Sequence, residues 1–208
     1  MKKYPYIFLL GKLGSGKSTI YELFVQLLKE KYGESTTCIK LDDFPILEAY
    51  AQKTGHMSQK EDGFALRDSK VLNEVLQLLS EKAILASKTN HFVFIEFARD
   101  SYEQALKQFS KTLWQQALVL YIYCDFEKCL ERNAKRYQKY HKKDSVNHIV
   151  PSDIMHSYYK EDDYEAYYVN HLQTELKKKI DTKLVILDNT DESIEALQNK
   201  IAAIVEIL

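Results

Sequence analysis

Cysteine is scarce. The 208 residues contain three, Cys38, Cys124 and Cys129, an odd number with no CxxC spacing. This excludes a disulfide framework and fits reduced thiols. Cys124 and Cys129 fall at a strand end and a helix start, where they read as packing residues. The six histidines show no HxxxH or His–Cys spacing, which excludes the usual structural zinc site. A charge excess of one sign is also lacking. Lys and Arg number 29 against 30 Asp and Glu, spread along the chain, for a net charge of −1. A dedicated nucleic-acid binder would be clearly basic, so no such function is expected, although one locally basic site remains compatible. No apolar run reaches membrane length. The run over 4–10 ends at Gly11 and is followed by no small-residue cleavage site, so no membrane partner and a cytoplasmic location are expected.

What is present is a regular alternation. The run 4–10 reads as a buried strand. After Lys17 the period changes, and Ile20, Leu23, Phe24, Leu27 and Leu28 fall on one helical face closed by Gly33. Further strands are expected over 37–41, 92–97, 117–124 and 183–187, with helices over 68–87, 100–110 and 125–137. Another helix is expected after Ser152, and a closing amphipathic helix carries Ile194, Leu197, Ile201 and Ile204. Residues 44–66, broken by Pro45, Gly55 and Gly63, read as irregular. Near-continuous apolar strands alternating with helices imply an α/β fold, a three-layer α/β/α sandwich on a five-stranded parallel sheet. No linker divides the chain, so residues 1–208 are expected to form one domain. Ligands of such sheets bind at the carboxyl ends of the strands.

Three of the six glycines stand together in Gly11-Lys12-Leu13-Gly14-Ser15-Gly16-Lys17-Ser18, between the first strand and the first helix. A glycine-rich turn lets successive backbone N–H groups point into one concavity, and the following helix adds its free N–H groups and positive dipole end. This spacing is the phosphate-binding loop, or P-loop. It predicts that Gly11, Gly14, Ser15, Gly16, Lys17, Ser18 and Thr19 bind a nucleoside triphosphate, with Lys17 on the β and γ phosphates and Ser18 on Mg2+. Acids follow the next two strands. Asp42 and Asp43 precede Phe44, and Glu96 ends an apolar strand where a Walker-B-type acid would stand. Arg132 and Arg136 lie four apart and so share one helical face. Residues 137–151 are polar, basic and aromatic and read as a lid that includes Lys139, His141, Lys142 and Lys143. The tyrosines at 137, 140, 158, 159, 164, 167 and 168 read as amphipathic packing beside Glu161, Asp162, Asp163 and Glu165.

With these motifs in this order, the chain resembles the P-loop small-molecule kinases of the nucleoside and nucleotide kinase group, which includes adenylate-kinase-like enzymes. Asp42-Asp43-Phe44 resembles the Asp-Asp-Phe of uridine-kinase-like enzymes. Glu96-Phe97-Ala98-Arg99 is similar to the Asp-Gly-Phe-Pro-Arg of nucleoside monophosphate kinases but lacks its glycine and proline. The helix from Cys129 to Arg136 resembles the one leading into the lid. The resemblance implies transfer of the γ-phosphoryl of ATP to a small acceptor, a nucleoside or nucleotide first and a sugar or other metabolite second, with ATP and Mg2+ as cofactors. It implies catalytic roles for Lys17, Asp42, Asp43, Arg132 and Arg136, and metal contacts from Ser18, Asp42 and Glu96. Phe44, Arg67, Glu96 and Arg99 would bind the acceptor, within a segment spanning 43–67. Asn189, in Leu187-Asp188-Asn189-Thr190, would line the adenine pocket; that stretch lacks the Asn-Lys-x-Asp of GTPases. Which of Asp42, Asp43 and Glu96 is the base and which serves the metal stays open, as does a homodimer. The other reading is a P-loop ATPase or switch acting on a protein partner.

Overall fold

The computed structural model describes residues 3–55, 57–60, 63–66, 70–140, 152–179 and 183–208, with the backbone alone at 51, 57–60, 63–66 and 137–140. Arg67 and residues 141–151 of the expected lid lie outside the described residues. In chain order the elements are β1 (Tyr6–Leu10), α1 (Lys17–Tyr32), β2 (Thr37–Asp42), α2 (Asp43–Thr54), β3 (Met57–Lys60), β4 (Gly63–Leu66), α3 (Lys70–Ala86) and β5 (His91–Glu96). They continue with α4 (Tyr102–Leu106), α5 (Lys111–Trp114), β6 (Ala117–Tyr123), α6 (Phe126–Tyr140), α7 (Ser152–Tyr158), α8 (Asp163–Val169), α9 (Gln173–Lys179), β7 (Lys183–Asp188) and α10 (Ile194–Val205).

Five strands form one parallel sheet in the order β2-β5-β1-β6-β7. Every residue of β1 is buried, because both faces of the sheet are covered. Successive residues point to opposite faces. Ile7 and Leu9 pack with Ile20, Phe24 and Leu28 of α1 and Leu197, Ile201 and Ile204 of α10. Phe8 and Leu10 pack on the other side, with Leu76 and Leu79 of α3, Tyr102 of α4, Leu113 of α5 and Tyr164 of α8. Three layers result, as the strand and helix periods predict.

Two segments differ from their sequence reading. Residues 43–54 are helical, not irregular. Pro45 lies in the first turn of α2, where a missing N–H removes no helical hydrogen bond. The Asp42 Oδ1 accepts from the Phe44 N–H at 3.0 Å and caps the start. Leu47, with Ile46 and Tyr50, then packs on Val71 and Val75 of α3. Residues 57–60 and 63–66 pair as two short antiparallel strands. The helix expected over 100–110 is shorter, covering Tyr102–Leu106 as α4. Ser110 caps the next helix, α5, accepting from the Leu113 N–H at 3.3 Å, while its own N–H donates to Ser80 Oγ at 3.1 Å.

The sheet order decides where a ligand can sit. β1 lies between β5 and β6, so the chain leaves β1 toward one edge of the sheet and later crosses to the other. The register places Asp42 beside Glu96, and Leu9 also beside Glu96. The loop after β1 therefore opens beside the acids that end β2 and β5.

Candidate active site

The loop between β1 and α1 needs its glycines. Gly11 has φ 140° and Gly14 φ 86°. A Cβ on Gly11 would stand 2.4 Å from the Ile122 carbonyl oxygen, and one on Gly14 would stand 2.6 Å from that of Cys129. Both obstacles are backbone, so they cannot swing aside. α1 begins at Lys17 with no acidic residue in its first turn, which leaves its positive end uncompensated. The Lys17 ammonium donates to the Gly11 and Lys12 carbonyls, each at 2.9 Å, and lies 4.0 Å from Glu96 Oε1. Burial lowers its pKa, against the opposing pull of Glu96, Asp42 and Asp43. Ser18 is exposed and Thr19 partly so, while Ser15 is fully buried.

Two side chains fix the back of the loop. The Asn189 amide donates to the Ser15 carbonyl at 2.7 Å. Arg132 reaches from α6 and donates to the carbonyls of Gly14 (3.4 Å), Asn189 (3.0 Å) and Thr190 (3.3 Å). Arg132 thus braces the loop against the segment after β7, through main-chain oxygens. Arg136 lies one turn further along α6 and is half-buried.

The acids fall into two groups. Asp43 and Arg99 form a buried pair at 2.6 Å, and Arg99 also donates to the Ala98 carbonyl at 2.7 Å. Its Nε and Nη2 are buried without a hydrogen-bond partner. Burial raises the Asp43 pKa, against the pull of Arg99. Tyr158 and Tyr159, brought up by α7, act electrostatically on Arg99, and burial pushes the Tyr158 hydroxyl up to about 12. Glu96 lies between two ammonium groups, Lys17 and, at 2.7 Å, Lys40. Phe44 sits half-buried in the first turn of α2.

The loop also rests on a buried polar layer of residues from remote parts of the chain. The Gly11 N–H donates to the Tyr102 hydroxyl at 3.0 Å, and Lys12 pairs with Glu165 of α8. The Tyr121 hydroxyl donates to both oxygens of Asp162, which also caps α8 by accepting from the Glu165 N–H at 2.8 Å. Burial pushes the Asp162 carboxyl up to about 7, although the Glu165 N–H, Tyr121 and Lys12 all favour its charge. A raised folded pKa means that ionisation opposes folding. The stability tied to this group is full below the ordinary carboxylate value and disappears as pH rises through about 7. Asp162→Asn is therefore expected to flatten the pH dependence of stability between pH 5 and 8 by about 2–3 kcal/mol, at 1.4 kcal/mol per pH unit. Urea unfolding of both proteins across that range measures it; equal slopes would contradict the assignment.

No family model matches the chain, and no curated protein matches it in sequence. Solved structures do match in fold. Chaetomium thermophilum Kti12, solved with ADP–AlF3, aligns at TM-score 0.63 and 14% identity over 97% of both chains. The Mycobacterium tuberculosis APS kinase CysC, solved with AMPPNP and APS, aligns at TM-score 0.56 and 15% identity over 99% of both chains. A gluconokinase from Sinorhizobium meliloti aligns at TM-score 0.54 and 13% identity over 99% of this chain and 94% of its own. The fold is that of the P-loop kinases. Identities this low leave the fold as what is shared.

Within that P-loop kinase fold, the structure gathers the residues singled out by sequence. Lys17, Ser18, Asp42, Asp43, Glu96 and Arg99 lie at the ends of three neighbouring strands, and Asn189 and Arg132 lie behind the loop. Lys12, Lys40, Tyr102, Tyr158, Tyr159 and Glu165 were missed. Lys40 carried a signal, being a lysine inside the strand that leads to Asp42. The others gave none, since their partners are remote in sequence. No helix among the described residues is long and apolar enough to cross a membrane.

Proposed function

We propose that the chain transfers the γ-phosphoryl group of MgATP to a small acceptor, a nucleoside or nucleotide first. The observation that supports this most is the convergence of Lys17, Asp42, Asp43, Glu96 and Arg99 beside one glycine loop. In this reading the loop N–H groups and Lys17 hold the phosphates of ATP, and catalysis is mainly positioning and charge neutralisation. Asp43 orients the acceptor hydroxyl and takes its proton late in transfer, a role that its raised pKa favours. Arg99, held by Asp43, offers its unpartnered Nε and Nη2 to an anionic part of the acceptor. Phe44, Arg67 and the segment 43–67 complete that side. Arg136 would neutralise phosphate charge from α6, while Arg132 holds loop and adenine segment together.

Ser18, Asp42 and Glu96 offer oxygen alone, the donor set that suits Mg2+. Glu96 Oε1 lies 4.0 Å from Lys17, and Oε2 faces the Lys40 ammonium at 2.7 Å. Substrate phosphates would complete the shell of such an ion. When bound, Mg2+ neutralises charge on the β and γ phosphates.

The test is to incubate the protein with MgATP and a panel of nucleosides, monophosphates and sugars and to follow ADP. ADP formation is expected to rise with one nucleoside or nucleotide class. A rise with sugars alone would move the acceptor to that class. An equal rate in every mixture would replace the kinase by an ATPase or switch.

A further inference from the structure

Lys40 stands where the proposed function needs a metal ion. Its ammonium is 2.7 Å from Glu96 Oε2 and 3.5 Å from Ser18 Oγ. These are two of the three oxygen groups assigned to Mg2+. Its ring contact, 5.7 Å over Tyr21 of α1, holds the side chain on the α1 side of the sheet. The register explains the reach. Asp42 pairs with Glu96 and Lys40 with Phe94, so Lys40 points to the same face as Asp42, one residue pair short of the acids. The contact with Glu96 is one of charge. At 2.7 Å the ammonium is within charge-assisted hydrogen-bond reach of the carboxylate and compensates its charge.

Glu96 thus faces two cations, with Lys17 4.0 Å from one oxygen and Lys40 2.7 Å from the other. Lys17 is nearly fully buried and tied to two loop carbonyls. Lys40 has a quarter of its side chain exposed and a flexible stem, so it is the one free to leave. An ammonium between Ser18 and Glu96 and a divalent ion on the same oxygens exclude each other by volume and by charge.

We infer that Lys40 is a tethered placeholder cation. It occupies the metal position while the site is empty, keeps Glu96 aimed at the loop, and is expelled when a divalent ion enters with nucleotide. This inference rests on the phosphate-loop reading above. It makes two opposite demands. Nucleotide without metal binds with Lys40 serving as its counter-cation. Nucleotide with metal binds against Lys40, which weakens the hold on the ion.

The experiment uses the full chain, ADP and Mn2+. ADP affinity is measured by calorimetry in EDTA, and Mn2+ affinity of the ADP complex by the electron paramagnetic resonance signal of free Mn2+. Lys40→Met is expected to bind Mn2+ about tenfold more tightly in the ADP complex and to bind ADP several-fold more weakly in EDTA. Lys40→Arg, which keeps the charge, is expected to stay within about twofold of the unaltered protein in both. Lys40→Gln gives the Met result in a polar side chain, should the apolar one disturb the edge strand. Unchanged or weaker Mn2+ affinity in both Met and Gln variants, with ADP still bound, would overturn the placeholder and leave the phosphate loop standing. Failure of the unaltered protein to bind ADP with or without Mn2+ would overturn both.

Discussion

Lys17→Ala is expected to lower phosphoryl transfer by at least about a thousandfold, equivalent to about 4 kcal/mol of transition-state stabilisation. The size follows from burial. The ammonium lies in a loop walled by backbone, so a charge on it acts through little solvent and is stronger than at a surface. No neighbour can replace it, because Lys12 is committed to Glu165 and Lys40 reaches the far side of Glu96. The fold is expected to survive. Lys17 belongs to neither large apolar cluster, and relief of its desolvation offsets the two carbonyl hydrogen bonds it loses. Turnover and a thermal unfolding scan together check this. Retained turnover in a folded variant would remove the loop from the chemistry.

Arg99→Met is expected to damage both stability and activity, for separable reasons. It leaves Asp43 buried without its counter-ion, a situation that destabilises by about 3–5 kcal/mol. In a chain of this size that lowers the unfolding midpoint by about 10 °C. The loss has a pH signature. Burial already raises the Asp43 pKa and Arg99 pulls it down, so removing Arg99 raises it further. A carboxyl with a raised folded pKa stabilises least when ionised, so the variant is expected to lose most stability as pH rises. Adding Asp43→Asn removes the orphaned charge, and the double variant is expected to recover much of the lost stability. Turnover is not expected to recover, because both groups proposed to face the acceptor are gone. Unfolding midpoints and turnover of the single and double variants test this. Recovery of turnover with stability would reduce the pair to a structural one.

The unequal legibility of the sequence has physical causes. The step from β1 through the loop to α1 was readable because the apolar period changes from that of a buried strand to that of a helix across a glycine cluster. Glu96 and Arg99 were readable because an apolar strand ends on them. The start of α2 was not, since Pro45 reads as a breaker until its place in the first helical turn is known. Arg132 sat on a basic helix face that suggested phosphate. Its partners are backbone oxygens at Gly14 and Asn189, 118 and 57 residues away, and main-chain acceptors leave no trace in a sequence. The support of the loop by Lys12 and Glu165 spans 153 residues and depends on how α8 packs, which no local pattern encodes. Lys40 carried one signal, a lysine inside a strand, but nothing in the sequence says which acid it meets. Only the register of β2 on β5 brings it to Glu96.

The most direct test follows the phosphorus. The protein is incubated with Mg2+, γ-labelled ATP and the acceptor panel, and the label is located after separation. Label is expected on a small organic acceptor, in a reaction that Lys17→Ala abolishes. Label released only as inorganic phosphate, at one rate whatever acceptor is present, would contradict it.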